Sequence, residues 1–171
     1  MPLSDATDKA PPGPYRRCQP APIPCCAGAV QFVHFTTMHP SAIRVCLVED
    51  SSLVRLRLAG MLRDLWDVER VFEAATVAEA RRLLPTAKPH LVVVDMRLPD
   101  GDGLEVVAAA KRLTPQPAVV VLTSYGYDQL RATCLEAGAD QFLDKRTEFD
   151  RLPAIVADLC AHHDPRAGAP P

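Results

Sequence analysis

Leu91-Val-Val-Val-Asp95-Met-Arg-Leu-Pro99-Asp-Gly-Asp-Gly103 is an unbroken apolar run that ends on a carboxylate and passes at once into a Pro/Gly/Asp loop. A fully apolar strand fits a parallel sheet covered on both faces, because neither side of the strand then meets water. In open sheets of that kind the binding groups collect at the carboxyl ends of the strands, which is where Asp95 stands. The reading of the fold depends on what the rest of the chain brings to that end.

Outward from this strand the chain alternates. Ala42 to Val48 reads as a strand that ends on Glu49-Asp50. Ser51 is placed to cap a helix in which Leu53, Val54, Leu58, Met61, Leu62 and Leu65 recur at helical spacing. Val68 to Ala74 is a second strand. Thr76 caps a helix predicted through Leu84, with Pro85 and Pro89 bounding the loop after it. Beyond the central strand come a helix over Leu104 to Leu113 and a fourth strand over Ala118 to Leu122, leading into Thr123-Ser124. A helix from Asp128 to Ala137 is stopped by Gly138. Gln141 to Leu143 is a fifth strand running into Asp144-Lys145, and a last helix places Phe149, Leu152, Val156 and Leu159 on one face. Five strands alternating with five helices predict a doubly wound α/β sheet of flavodoxin-like (βα)5 type, strand order 2-1-3-4-5, with its crevice between strands 1 and 3.

That order has a chemical consequence. Glu49, Asp50 and Asp95 meet across the crevice, with Thr123 and Lys145 on the same rim. Three close carboxylates repel one another unless a cation joins them. Hard oxygen donors in an open crevice suit Mg²⁺. Asp95 needs no general base to act as a nucleophile, since a carboxylate with a reference pKa of about 3.9 is ionised at neutral pH. Taken singly, an acidic pair after a strand is a helix N-terminal charge pair, Asp95 a turn former, Lys145 a solvated lysine and Thr123 a helix cap. Their joint placement at four strand ends favours function. Phe142 reads first as packing.

At these residues the chain resembles the receiver domain of two-component response regulators over residues 43 to about 160. The resemblance rests on Val48-Glu-Asp50, Asp95 to Glu105, Leu122-Thr-Ser124, Glu136 to Asp140 and Phe142-Leu-Asp-Lys145. It implies that Asp95 accepts a phosphoryl group from the phosphohistidine of a sensor histidine kinase or a histidine phosphotransfer protein. It implies Mg²⁺ bound by Glu49, Asp50, Asp95 and the backbone carbonyl of Arg97. Thr123 and Lys145 would contact the phosphoryl group, and Phe142 would turn inward as Thr123 moves. The output face would be helix 4, strand 5 and helix 5. The chain would be no enzyme beyond its own phosphorylation and dephosphorylation.

Three features depart from the family pattern. Arg146 stands where the family has Pro, so the peptide after Lys145 is expected to be trans. The acidic pair is Glu-Asp rather than Asp-Asp. Arg97 and Tyr125 occupy positions that govern acyl-phosphate lifetime in the family, and their bulk is expected to slow hydrolysis. Other readings fit less well. A haloacid dehalogenase phosphatase needs a second Asp two residues after the nucleophile, where Arg97 stands. A nucleotide-binding fold lacks its glycine-rich phosphate loop here. The intact acidic, Thr and Lys set argues against a receiver that works without phosphorylation.

Residues 1–40 hold 8 of the 17 prolines and little apolar periodicity, so they read as a disordered leader, with Met38 an alternative start. Cys18, Cys25, Cys26, His34 and His39 in it match no zinc spacing. Residues 41–161 form the receiver unit and residues 162–171 a flexible tail, which leaves no segment for a DNA-binding output domain. A stand-alone regulator with an unknown downstream protein target follows, as a monomer or phosphorylation-dependent dimer. The net charge of −2 gives no attraction to nucleic acid, and no apolar run reaches the roughly 20 residues of a membrane span. Cys46, Cys134 and Cys160 fall in core elements, consistent with buried thiols in a reducing cytoplasm. The histidines, His90 and His162 among them, have no assigned partner.

Overall fold

The computed structural model describes residues 42–124 and 128–162. The expected leader, the Tyr125 position and the tail from residue 163 lie outside the described residues. Five parallel strands, β1 (Ile43–Val48), β2 (Val68–Ala74), β3 (Leu91–Val94), β4 (Ala118–Thr123) and β5 (Gln141–Asp144), form one sheet in the order β2-β1-β3-β4-β5. Five helices connect and follow them: α1 (Ser52–Arg63), α2 (Val77–Ala87), α3 (Gly103–Ala110), α4 (Asp128–Glu136) and α5 (Leu152–His162). This is the doubly wound order expected from the sequence.

Alternation along the strands builds two cores. Ile43, Val45 and Leu47 of β1, with Leu91 and Val93 of β3, pack on Leu58, Leu62, Leu152 and Val156 of α1 and α5. Cys46 and Val48, with Val92 and Val94, pack on Ala80, Leu84, Val106 and Val107 of α2 and α3. β3 at the centre of the sheet is therefore apolar at every position, because both its faces are covered. Cys46, Cys134 and Cys160 are buried free thiols, and burial pushes Cys46 up to about 12.

Several boundaries differ from the sequence reading. Helix α2 runs through Pro85 to Ala87 and closes on Lys88 in a left-handed conformation (φ 43°). Pro85 lies in the last turn, where its missing N–H forfeits one bond and the Lys88 N–H still reaches the Leu84 carbonyl at 3.1 Å. Helix α3 ends at Ala110 rather than Leu113. Phe149 belongs to a single 3₁₀ turn (Phe149–Arg151) that leads into α5, and α5 itself continues to His162. Leu53 is 78% exposed, so the buried stripe of α1 does not include it. The loop after Asp95 contains a small antiparallel hairpin, Arg97–Leu98 against Gly101–Asp102. The Lys145–Arg146 peptide is trans, Thr114–Pro115 being the cis bond among the described residues.

Candidate functional site

Sheet register sets the site. Val48 of β1 lies beside Val94 of β3, so the next residues, Glu49 and Asp95, leave the sheet side by side. The Asp95 N–H still donates to the Val48 carbonyl at 2.9 Å, and the Glu49 N–H to Ala74 at 3.0 Å. On the other side Thr123 pairs with Asp144, and the Lys145 N–H donates to the Thr123 carbonyl at 2.9 Å. Backbone hydrogen bonds thus hold four strand ends in one rim before any side chain is considered.

The side chains converge there. Oxygens of Glu49, Asp50 and Asp95 lie within 4.8 Å of one another. The Lys145 ammonium donates to Asp95 Oδ2 at 2.6 Å and to Glu49 Oε2 in a still closer contact. Glu49 is 2% exposed, while the Lys145 and Asp95 side chains are 11% and 12% exposed. Burial pushes the Glu49 carboxyl above its ordinary range, and the Lys145 contact opposes that rise. Asp50 is exposed, and Thr123 is fully buried at the end of β4. Three carboxylates against one ammonium leave a formal charge of −2 when all are ionised. Three hard oxygen donors on an open, anionic rim match what a divalent cation such as Mg²⁺ requires.

The loop after Asp95 is held from behind by residues the sequence reading did not single out. Asp95 Oδ1 accepts from the Met96 N–H at 2.6 Å, which fixes the carboxylate plane. Gly103 donates to the Met96 carbonyl at 2.9 Å and passes so close that an added Cβ would stand 2.3 Å from the Asp95 carbonyl oxygen. A side chain there would have to displace the Asp95 backbone. The Gly-Asp-Gly spacing before the helix was the available signal. Asp100 reaches across to α2, where its carboxylate accepts from the Val77 and Ala78 N–H groups at 2.7 and 2.9 Å. These bonds, Ala78's foremost, lower the Asp100 pKa. Asp102 and Glu105 form a capping box on α3. No sequence pattern marks a cap supplied from 22 or 23 residues away.

Phe142 is buried, in contact with the core beneath α4. The Arg131 guanidinium of α4 sits 5.0 Å from its ring centroid and also reaches Glu148 at 3.2 Å, while Glu148 accepts from the Asp144 N–H at 3.1 Å. The aromatic thus lies inward, under an ionic strap that joins α4 to the turn after β5. Arg97 is exposed, within the hairpin. His90 also finds a partner: its Nδ1 accepts from the Arg44 N–H at 3.0 Å, at the opposite end of the sheet.

Comparison with known proteins agrees with this geometry. The family model described as the response regulator receiver domain matches residues 45–157. The chain is 35% identical over 119 residues to the DNA-binding transcriptional activator DevR/DosR of Mycobacterium tuberculosis, covering 70% of this chain and 55% of that protein. It is 38% identical over 115 residues to the transcriptional regulatory protein PdtaR of the same organism, covering 66% and 54%. Among solved structures, the signal receiver domain of a putative LuxO repressor from Vibrio parahaemolyticus aligns with a TM-score of 0.64 at 28% identity, over 71% of this chain and 92% of that one. The chain spans about half the length of the curated relatives it matches. It belongs to the response regulator receiver domain family.

Proposed function

We propose, with membership of the receiver family as the premise, that this chain is a phosphoacceptor of a two-component phosphorelay and that Asp95 takes the phosphoryl group. The observation that carries this reading is the meeting of Glu49, Asp50, Asp95 and Lys145 on one rim, with Lys145 in contact with both Glu49 and Asp95. Glu49, Asp50, Asp95 and the Arg97 backbone carbonyl would hold Mg²⁺. Bound there, it would neutralise charge on the phosphoryl oxygens.

The residues of the chain do the rest. The Asp95 carboxylate is fixed by the Met96 N–H on Oδ1 and the Lys145 ammonium on Oδ2, and an oxygen lone pair attacks phosphorus as the bond to the imidazole nitrogen of a kinase or phosphotransfer protein breaks. Lys145, already among the carboxylates, follows the charge onto the phosphoryl group, and the Thr123 hydroxyl donates to a second oxygen. Most of the acceleration in such a transfer comes from positioning and charge neutralisation, which this rim is built to give. The chain catalyses only the gain and loss of its own phosphoryl group.

Output runs through α4, β5 and α5 to a protein partner. Recruitment of Thr123 and Lys145 toward the new charge pulls on β4 and β5, and Phe142 and the Arg131–Glu148 strap lie directly along that face. DNA binding is named for the relative DevR/DosR, about half of whose length is matched here. The bulk of Arg97 and Tyr125, by the resemblance to the family, prolongs the life of the acyl phosphate. Among the described residues no helix is long and apolar enough to cross a membrane. Incubation with Mg²⁺ and acetyl phosphate, followed by intact-mass measurement, tests the function. The wild-type chain gains one phosphate and Asp95→Ala gains none. A wild-type chain that gains none under these conditions contradicts the proposal.

A further inference from the structure

We infer that Arg55 is a positioning residue for the carboxylates that hold Mg²⁺, an inference that rests on the reading of the site given above. Arg55 lies in α1, and its guanidinium turns back on the loop that precedes its own helix. Nη1 donates to the Glu49 carbonyl at 2.6 Å and to the Asp50 carbonyl at 3.2 Å. On its other side Nε faces Glu73 Oε2 of β2 at 3.6 Å, and the second Glu73 oxygen accepts from Arg63 at 2.5 Å. The guanidinium is thus braced by an acid on a neighbouring strand and grips two consecutive carbonyls.

Those two carbonyls belong to the residues whose side chains form two thirds of the acidic cluster. Strand pairing reaches Glu49 through its N–H alone, which donates to the Ala74 carbonyl, and β1 ends at Val48, whose carbonyl is taken by the Asp95 N–H. Ser51 occupies the N-cap of α1 but makes no side-chain capping bond, and its N–H reaches Glu49 Oε1 only at 3.4 Å. The sheet holds the amide of Glu49, and one side chain, Arg55, holds the carbonyls of Glu49 and Asp50 beyond it. Helix stability does not explain that placement. The start of a helix carries partial positive charge, and a cation there is unfavourable. The carbonyls it grips lie before the helix and are not among those α1 must satisfy. What the contact does is hold the Glu49-Asp50 turn in one conformation against the mutual repulsion of three carboxylates. Without it the acids spread apart, and a cation must reorder them on binding. The loss then falls on Mg²⁺ affinity, while the rate of phosphoryl transfer at saturating Mg²⁺ is spared.

The experiment uses the full chain. Mg²⁺ is titrated calorimetrically into the wild type, Arg55→Met, Arg55→Lys and Glu73→Gln. Phosphorylation by acetyl phosphate is followed at low and saturating Mg²⁺, and urea unfolding is measured without the metal. Partners that orient metal ligands are commonly worth 10–100-fold in affinity, so Arg55→Met weakens Mg²⁺ binding by about tenfold. Excess Mg²⁺ restores its phosphorylation rate. Arg55→Lys falls between, because an ammonium cannot keep both the carbonyls and the Glu73 brace. Glu73→Gln weakens binding by about threefold, the grip being kept and only the brace loosened. An Arg55→Met affinity within about twofold of wild type, where an orienting partner should be worth tenfold, overturns the inference. So does a phosphorylation defect that excess Mg²⁺ does not restore. If Arg55→Met does not fold, unchanged affinity in both Arg55→Lys and Glu73→Gln overturns it equally. A wild type that is phosphorylated by acetyl phosphate yet binds Mg²⁺ no better than Asp50→Asn defeats the inference alone. A wild type that binds no Mg²⁺ and takes no phosphate defeats the reading beneath it as well.

Discussion

At the amino ends of the strands, charges are cancelled as they arise. The Arg44 side chain spreads over the carbonyls of Ala87 and Lys88 at the end of α2, and its backbone N–H is received by His90. Lys111 meets Asp140 at 2.6 Å, and Asp140 also accepts from the Val119 N–H. At the carboxyl ends, three carboxylates share one ammonium, and the most buried of them has its carboxyl pushed upward. One sheet therefore has one rim at electrostatic rest and one held away from it. The two rims are laid on the same strands, so the fold does not require the imbalance of the second. A rim that stores uncancelled negative charge is prepared for a cation and for a group whose charge the cation will share.

The contrast can be broken from the carboxyl side first. Gly103→Ala forces a Cβ against the Asp95 backbone, and a clash that no rotamer relieves costs about 3 kcal/mol, the upper part of the overpacking range. Urea unfolding in the absence of Mg²⁺ measures it, and the variant also loses phosphorylation, since the Asp95 loop must shift. Next comes Lys145→Met, which strips the ammonium from the buried Glu49 and the partly buried Asp95 carboxylates. It destabilises by about 2 kcal/mol, less than the usual cost of orphaning a buried charge because Glu49 takes up a proton more readily.

Asp100→Asn acts on the tie between the Asp95 loop and α2, and its effect depends on pH. Hydrogen bonds from Ala78 and Val77 lower the folded-state pKa of Asp100 below its unfolded value. The stability it contributes is therefore present above the ordinary aspartate range and is lost as pH falls through the folded value. Thermal unfolding shows wild type above Asp100→Asn at neutral pH, with the gap closing in acid. The smallest effect is on the quiet rim. Lys111→Met removes a half-exposed ion pair and keeps the stem that packs on Gly138, so the change stays within about 1 kcal/mol. A loss from Lys111→Met equal to that from Lys145→Met would erase the distinction between the rims.

The sheet order, the meeting of Glu49, Asp50, Asp95 and Lys145, and the place of Thr123 at the end of a neighbouring strand were legible in the sequence. Strand ends are marked by where an apolar run stops, and register then follows from the order of strands. What escaped depends on directions that residue type does not encode. Leu53 satisfies the helical spacing, yet α1 is rotated so that Leu58, Ala59 and Leu62 face the sheet. Pro85 looks like a helix stop and is tolerated because only the final turn lies beyond it. Arg55, Asp100 and Gly103 act through backbone atoms of distant or preceding residues, and no side-chain pattern records where a carbonyl points. His90 sits in a loop by sequence and is tied to the amino ends of the strands by the Arg44 N–H.

The central claim, that Asp95 is the residue that receives the phosphoryl group, is tested most directly by locating the modification. The chain is phosphorylated with acetyl phosphate and Mg²⁺, reduced with borohydride and digested, and the peptides are sequenced by mass spectrometry. An acyl phosphate on a carboxylate is reduced to the alcohol, so the account predicts homoserine at position 95 and unchanged aspartate at positions 50, 100 and 102. Intact Asp95 in a chain that has gained phosphate, or homoserine at one of the other three, would contradict it.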